Sequence, residues 1–288
     1  MSFIIHGATG AQGGPLFDLL QSKGKTVLAA VRDPAKADGK PSITVDNSSV
    51  GSLVEAYNGS DGIFFHLPQA PEPLRIEYAR NFLEAITQAK PKRVVISTSG
   101  AVIDQAGSAV QVPDDSAMGM LVRGIAESQI SYAIVAPRLY LENLLLPMVV
   151  GGVKQDGVLL YPIRADLTVS WSSHLDIADV AAKLLTDHGV SGIVGVGQLP
   201  GMQGAALADG FAARFNRSVQ FEAQSPEDFR KLLEPMFGPA AANIAAFYQA
   251  LATLDENVVA EETSAQTLLG IKPRSVEQWL DAVLADRT

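Results

Sequence analysis

With 288 residues, 47% of them hydrophobic, the chain can fill one large core, or a large and a small one, and is expected to fold alone. Its 31 acidic against 22 basic residues give a formal charge of -9, which excludes a general attraction to nucleic acid or to an anionic membrane. The lack of cysteine excludes disulfides, zinc-thiolate sites and thiol nucleophiles.

The first half alternates short β-rich runs with longer amphipathic segments, the pattern of parallel strands joined by crossover helices. Phe3 to Ile5 reads as the first strand, followed by a helix from Ala11 to Lys23 that Gly24 closes. Thr26–Val31 and Ser42–Val45 are predicted as strands, and Ser48 or Ser49 caps a helix running to Tyr57. Ile63 to Phe65 is the fourth strand. A helix from Pro73 to Ala89 then buries Leu74, Tyr78 and Phe82, which recur every four residues. Strand Arg93–Ile96, helix Asp115–Ser128 and strand Tyr132–Val135 complete a doubly wound parallel sheet. Leu139–Val153 is the most apolar stretch, but Glu142 and Asn143 interrupt it and it is too short to span a bilayer. The N-terminus lacks the basic start and longer apolar run of a secretory signal, so the chain reads as cytoplasmic.

Asp176–Leu185 reads as one more sheet-packing helix and Gly192–Val196 as a seventh strand. Beyond Pro200 the pattern turns helical, at Gln203–Phe215, Pro226–Phe237, Pro239–Leu254 and Ser275–Leu284, with one strand-like piece at Val219–Glu222. The expected organisation is a dinucleotide-binding domain over residues 1–154, completed by 174–198, and a small, mostly helical substrate-binding lobe from 199–288 with 155–173.

Gly7, Ala8, Thr9, Gly10, Ala11, Gln12 and Gly13 lie between a strand and a helix, the context in which a glycine pattern predicts phosphate binding. Glycines permit the tight turn and let backbone N–H groups approach a diphosphate, while the helix N-terminus supplies unpaired donors and partial positive charge. Arg32, at the end of the second strand, fits a 2′-phosphate, with Lys36 as a second cation, so NADPH is expected over NADH. Asp33 opposes that choice. Asp46, just after the third strand, is placed to reach the adenine amino group, although turn capping is an equal use for it.

Gly7-Ala8-Thr9-Gly10-Ala11-Gln12-Gly13-Gly14, with Val31-Arg32-Asp33-Pro34, resembles the NmrA-like group of atypical short-chain dehydrogenases. Ala136-Pro137-Arg138-Leu139-Tyr140-Leu141-Glu142-Asn143-Leu144 is similar to that group's Arg-Pro-x-x-(Phe/Tyr)-x-Glu-Asn segment. Asp176-Ile177-Ala178-Asp179-Val180 and the closing Pro273 to Trp279 extend the likeness to nearly the whole chain. The group includes NADPH-dependent quinone oxidoreductases, triphenylmethane reductases and a fungal nitrogen regulator. The resemblance therefore implies an NADP(H)-binding Rossmann fold, with either hydride transfer or cofactor sensing as its function.

The departures restrict the chemistry. Short-chain dehydrogenases and sugar epimerases use Tyr-x-x-x-Lys, and no tyrosine here has a lysine four residues on. Isoflavone-reductase-like relatives carry a lysine on the helix after strand five; no lysine occurs between Lys92 and Lys154, where Met118, Met120 and Arg123 stand instead. Hydride transfer to an electrophilic acceptor such as a quinone, with solvent supplying the proton, is the expected reaction. A non-catalytic redox sensor acting through a protein partner is the alternative.

Ligands of such sheets bind beyond the strands' carboxyl ends. His66, Leu67 and Pro68 are expected along the cofactor, with His66 a candidate donor to substrate. Ser97, Thr98 and Ser99 are expected at the cofactor ribose or a substrate carbonyl, or as turn caps. Tyr140 is a candidate for chemistry, and Met118, Tyr140 and Asn143 are candidates for the substrate pocket. No metal site is expected: Asp176, near His174, reads as an ordinary helix N-terminal residue. A homodimer and a regulatory protein partner both stay open.

Overall fold

The computed structural model describes residues 2–285. In the first half, β1 (Phe3–His6) leads into α1 (Gly13–Ser22), β2 (Val27–Val31), β3 (Ser42–Thr44), α2 (Val50–Tyr57) and β4 (Gly62–Phe65). Then come α3 (Glu72–Ala89), β5 (Val94–Ser97), α4 (Ala117–Glu127) and β6 (Tyr132–Pro137). A short β7 (Leu139–Tyr140) precedes α5 (Pro147–Asp156), β8 (Val158–Tyr161), β9 (Thr168–Val169), β10 (Trp171–Ser172), α6 (His174–Thr186) and β11 (Gly192–Val196). The C-terminal part contains α7 (Gly204–Phe215), β12 (Gln220–Ala223), α8 (Pro226–Phe237), α9 (Ala240–Leu251), β13 (Glu256–Asn257), α10 (Ala265–Leu269) and α11 (Val276–Leu284).

Seven parallel strands form one sheet in the order β11-β6-β5-β4-β1-β2-β3. The chain winds from β1 toward β3, then returns to β4 and winds the other way, so the crevice opens at the carboxyl ends of β1 and β4. Parallel strands covered on both sides require apolar residues at successive positions, and β1, β4 and β5 are buried throughout. Phe17 and Leu20 of α1 join Ile177 and Leu184 of α6 on one face. Tyr57, Phe82 and Leu121, from α2, α3 and α4, cover the other. A third core, around Tyr161, Trp171, Phe211, Phe229, Tyr248 and Trp279, holds the C-terminal helices together.

Ser49 caps α2 as predicted, and α6 starts at a capping box that the sequence reading did not mark. Ser49 Oγ accepts from the Ser52 amide at 3.3 Å, and Ser173 and Asp176 exchange side-chain and backbone bonds in a capping box. One expectation is corrected, and two short elements come into view. The stripe of α3 buries Ala79, Phe82, Ala85 and Ile86, leaving Leu74 half-buried, because only the later turns lie over the sheet. The apolar run after Leu139 splits into β7, a 3-10 turn (Leu141–Leu145) and α5; a continuous apolar run has no period by which to divide it. The short β13 pairs with β9 and leaves the Glu256 side chain exposed. Among the described residues no helix is long and apolar enough to cross a membrane.

Candidate cofactor and acceptor site

The turn after β1 is built for a close approach. Gly7 has φ +64°, and a Cβ there would lie 2.3 Å from His66 Nε2. A Cβ on Gly13 would lie 2.4 Å from the Gly7 carbonyl oxygen, so the first turn of α1 presses directly on the glycine turn. The Gly10 amide closes that turn on Gly7 O at 2.8 Å, and Gly14 N bonds Gly10 O at 2.9 Å. Gln12 stands at the N-cap without a side-chain cap, and the amides of Ala11, Gln12 and Gly13 find no acceptor among the described residues. Three successive free donors at a helix mouth match a diphosphate.

Beside the turn lies a groove of about 570 Å³, whose walls include Gly7, Thr9, Arg32, Lys36, Asn47 and His66. Arg32 and Lys36 put two cations at its far end. The Asp33 carboxylate, which opposed the 2′-phosphate reading, accepts from the Ala35 amide at 3.0 Å and caps the 3-10 turn Pro34–Lys36. Asp46 does not reach the groove: it accepts from the Ser48 amide at 2.9 Å and the Ser48 hydroxyl at 2.6 Å, the local turn chemistry of a short carboxylate. Those bonds hold its pKa below the ordinary value, with Arg32 adding to them. The next residue, Asn47, lines the groove instead, and its side-chain oxygen is buried without a partner. That orphan acceptor suits an exocyclic amine, and nothing in the spacing separated it from Asp46.

His6 also escaped the sequence reading. It lies 5% exposed at the groove, with Nε2 2.8 Å from the Tyr57 hydroxyl. Burial, aided by the neighbouring His66, pulls its pKa down to about 3, so the ring is neutral. Burial lowers His66 as well, so His66 offers a neutral ring and not an imidazolium. Pro68 lines the groove, whereas Leu67 is in the core beneath it.

At the end of β5, Ser97 Oγ donates to Gln12 Oε1 at 2.7 Å and Gln12 Nε2 donates to Ser99 Oγ at 3.1 Å. Ser99 adopts φ +55°, an uncommon conformation for a residue with a side chain, and Gly100 follows at φ +89°. Thr98 is buried with an unpartnered hydroxyl. Tyr140 packs against the His174 ring at 4.7 Å between centroids. Its buried hydroxyl lies beside Ser97 without a well-formed hydrogen bond. Burial, together with the nearby Glu142 carboxylate, raises its pKa far above that of an ordinary tyrosine, so it stays protonated. Glu142 accepts from the His174 amide and from the Trp279 indole, each at 3.0 Å, which ties the last helix to the site.

A second cavity, of about 560 Å³, begins at Gln69, Ser99 and Gly100 and runs beneath α8 and α9. Tyr140 and Asn143 line it, and so do Tyr161 and Tyr248, which no motif marked. Met118 does not: it is 2% exposed, in the core between α4 and the sheet, because that face of α4 points inward. Asp176 is engaged by Ser173 and by Arg274 at 2.8 Å, as a helix N-terminal residue should be.

Comparison with known proteins bears on the fold and the family. A triphenylmethane reductase from Citrobacter sp. superposes with a TM-score of 0.79 at 20% identity, covering 98% of this chain and 99% of its own. An NADPH-dependent quinone oxidoreductase from Escherichia coli does so with a TM-score of 0.74 at 19% identity, covering 98% and 99%. Both have been solved with their cofactor, NADP(H) in the first and NADPH in the second. A nucleoside-diphosphate-sugar epimerase from Staphylococcus aureus reaches 0.77 at 20% identity, covering 97% and 99%; likeness at such identities speaks for the fold. Among curated proteins nothing matches the chain. The model of the NmrA-like family matches residues 2–280, and the chain belongs to that family.

Proposed function

We propose that the protein is an NADPH-dependent reductase of small, flat, electrophilic compounds such as quinones. The observation that carries this reading is the junction of the two cavities. The groove is lined by His66 and Pro68 and the apolar cavity by the next residue, Gln69, and by Ser99, which Gln12 at the mouth of α1 holds by a hydrogen bond. A dinucleotide laid along the groove with its diphosphate on the α1 amides would bring its nicotinamide end to that junction.

When bound, the dinucleotide supplies a hydride. The protein's own part is to bind, orient and exclude water. Arg32 and Lys36 hold the 2′-phosphate, Asn47 the adenine, and Ser97 and Ser99 the ribose or the acceptor carbonyl. Tyr140 and His66 are the groups assigned to chemistry. Both are neutral, so they can donate a hydrogen bond to acceptor oxygen but cannot act as a strong base. The C-terminal helices, with residues 155–173, shape the acceptor pocket.

The test is to mix the protein with NADPH and a panel of quinones while following cofactor absorbance. Turnover with any of them supports the reductase. No turnover, combined with tight binding that differs between NADPH and NADP+, would favour the redox sensor, for which the missing Tyr-x-x-x-Lys pair argues. An epimerase is disfavoured by the same absence.

A further inference from the structure

Tyr161 of β8 and Tyr248 of α9 hydrogen-bond to each other through their hydroxyls. The Asn143 side chain lies beside both. All three residues line the apolar cavity. Their positions are fixed: the Tyr161 ring packs edge-on against Trp171 at 5.7 Å and Phe229 at 5.6 Å, and Tyr248 meets Phe229 at 5.6 Å.

A count of hydrogens shows what this cluster lacks. Two hydroxyls carry two hydrogens and one amide carries two more, four in total, while three pairwise contacts consume at most three. At least one O–H or N–H is therefore left over, and no other acceptor takes it among the described residues. Interiors tolerate a spare lone pair on oxygen far better than a spare donor. The wall nearest it, with Phe229, Leu233, Ile244 and Phe247, is apolar; Gln69 and Asn243 also line the cavity but make no hydrogen bond to the cluster, and among the described residues no carboxylate lines it. Arg138, the one cation there among the described residues, is already paired with Asp104 at 2.8 Å.

Resting on the acceptor pocket proposed above, we infer that Asn143, Tyr161 and Tyr248 form a donor cluster that binds a neutral oxygen of a flat apolar ligand. It thereby selects quinone-like carbonyl compounds over hydrocarbons of the same shape. A cationic ligand gains nothing from it, since the hydrogens present the positive ends of their dipoles. Tyr248 and Asn143 make the contact, and the fully buried Tyr161 positions them.

The experiment is equilibrium dialysis of the full chain with 1,4-naphthoquinone and with naphthalene, in the presence of NADP+, which fills the groove without reducing the quinone. The wild-type protein should bind the quinone about tenfold more tightly, the worth of one net hydrogen bond. The double variant Tyr248→Phe, Asn143→Leu removes three of the four hydrogens. It should lose that preference while keeping its affinity for naphthalene, which a merely structural cross-link between β8 and α9 would not predict, and a cationic triarylmethane dye should bind it no more weakly. Equal wild-type affinity for the two probes, or a preference that survives in the double variant, overturns the inference but leaves the pocket standing. Failure of the wild type to bind either probe overturns the inference and the pocket together. Loss of turnover with the binding preference intact would instead count against the reductase reading alone.

Discussion

Ser97 and Gln12 face each other across the crevice, the serine hydroxyl donating to the Gln12 side-chain oxygen at 2.7 Å. One carboxamide thus ties the mouth of α1 to the end of β5, beside Ser99 at the edge of the second cavity. Replacing Gln12 with alanine should weaken NADPH about tenfold, as the loop carrying Ser99 loses its anchor. Gln12→Glu separates stability from binding. A carboxylate at a helix N-terminus suits the helix dipole, so the melting temperature of the free protein should hold, while repulsion of the diphosphate lowers NADPH affinity further than alanine does. Calorimetric titration beside thermal melts measures both.

Two glycines should respond in opposite directions to alanine. At Gly13 the new methyl would sit 2.4 Å from a backbone oxygen, so Gly13→Ala should cost about 3 kcal/mol or more and abolish dinucleotide binding. At Gly151, inside α5, nothing lies within 4 Å of the added carbon. Gly151→Ala should stabilise by roughly 0.5 to 1 kcal/mol, the helix-propensity difference between the two residues. Urea midpoints of the two variants against wild type decide the matter.

The cations of the groove predict a cofactor preference. Arg32→Ala should weaken NADPH by more than about tenfold and NADH hardly at all, since only the former brings a phosphate to be clamped. Equal losses for both cofactors would remove Arg32 from 2′-phosphate recognition.

The buried histidines predict acid sensitivity. His6 titrates near 3 and His174 near 4 in the folded protein, both held down by burial, against about 6.5 when unfolded. Between those values the unfolded chain binds more protons, so stability is complete above about pH 6.5 and falls as pH drops. Each group contributes a slope of up to about 1.4 kcal/mol per pH unit, ending near pH 3 for His6 and near pH 4 for His174. Urea midpoints at pH 7 and pH 5 should differ accordingly. The difference should shrink in His6→Gln, which keeps an acceptor for Tyr57 but no proton to gain.

The strands, their parallel order and the glycine turn were legible because each depends on neighbours in the chain. Apolar runs set β1 to β6, a serine just before the helix caps α2, and Gly7 to Gly13 make the tight turn between β1 and α1. Folding decided what depends on direction and on distant partners. Asp46 and Asn47 are adjacent and equally polar, yet one turns to Ser48 while the other keeps a free oxygen at the groove. Met118 stood at the right sequence position for a pocket but faces the core. Tyr161 and Tyr248, separated by 87 residues, become one polar cluster only when β8 and α9 pack around Phe229 and Trp171. Local order fixes which backbone groups stay unpaired at the glycine turn; the second cavity is made from side chains that meet only in three dimensions.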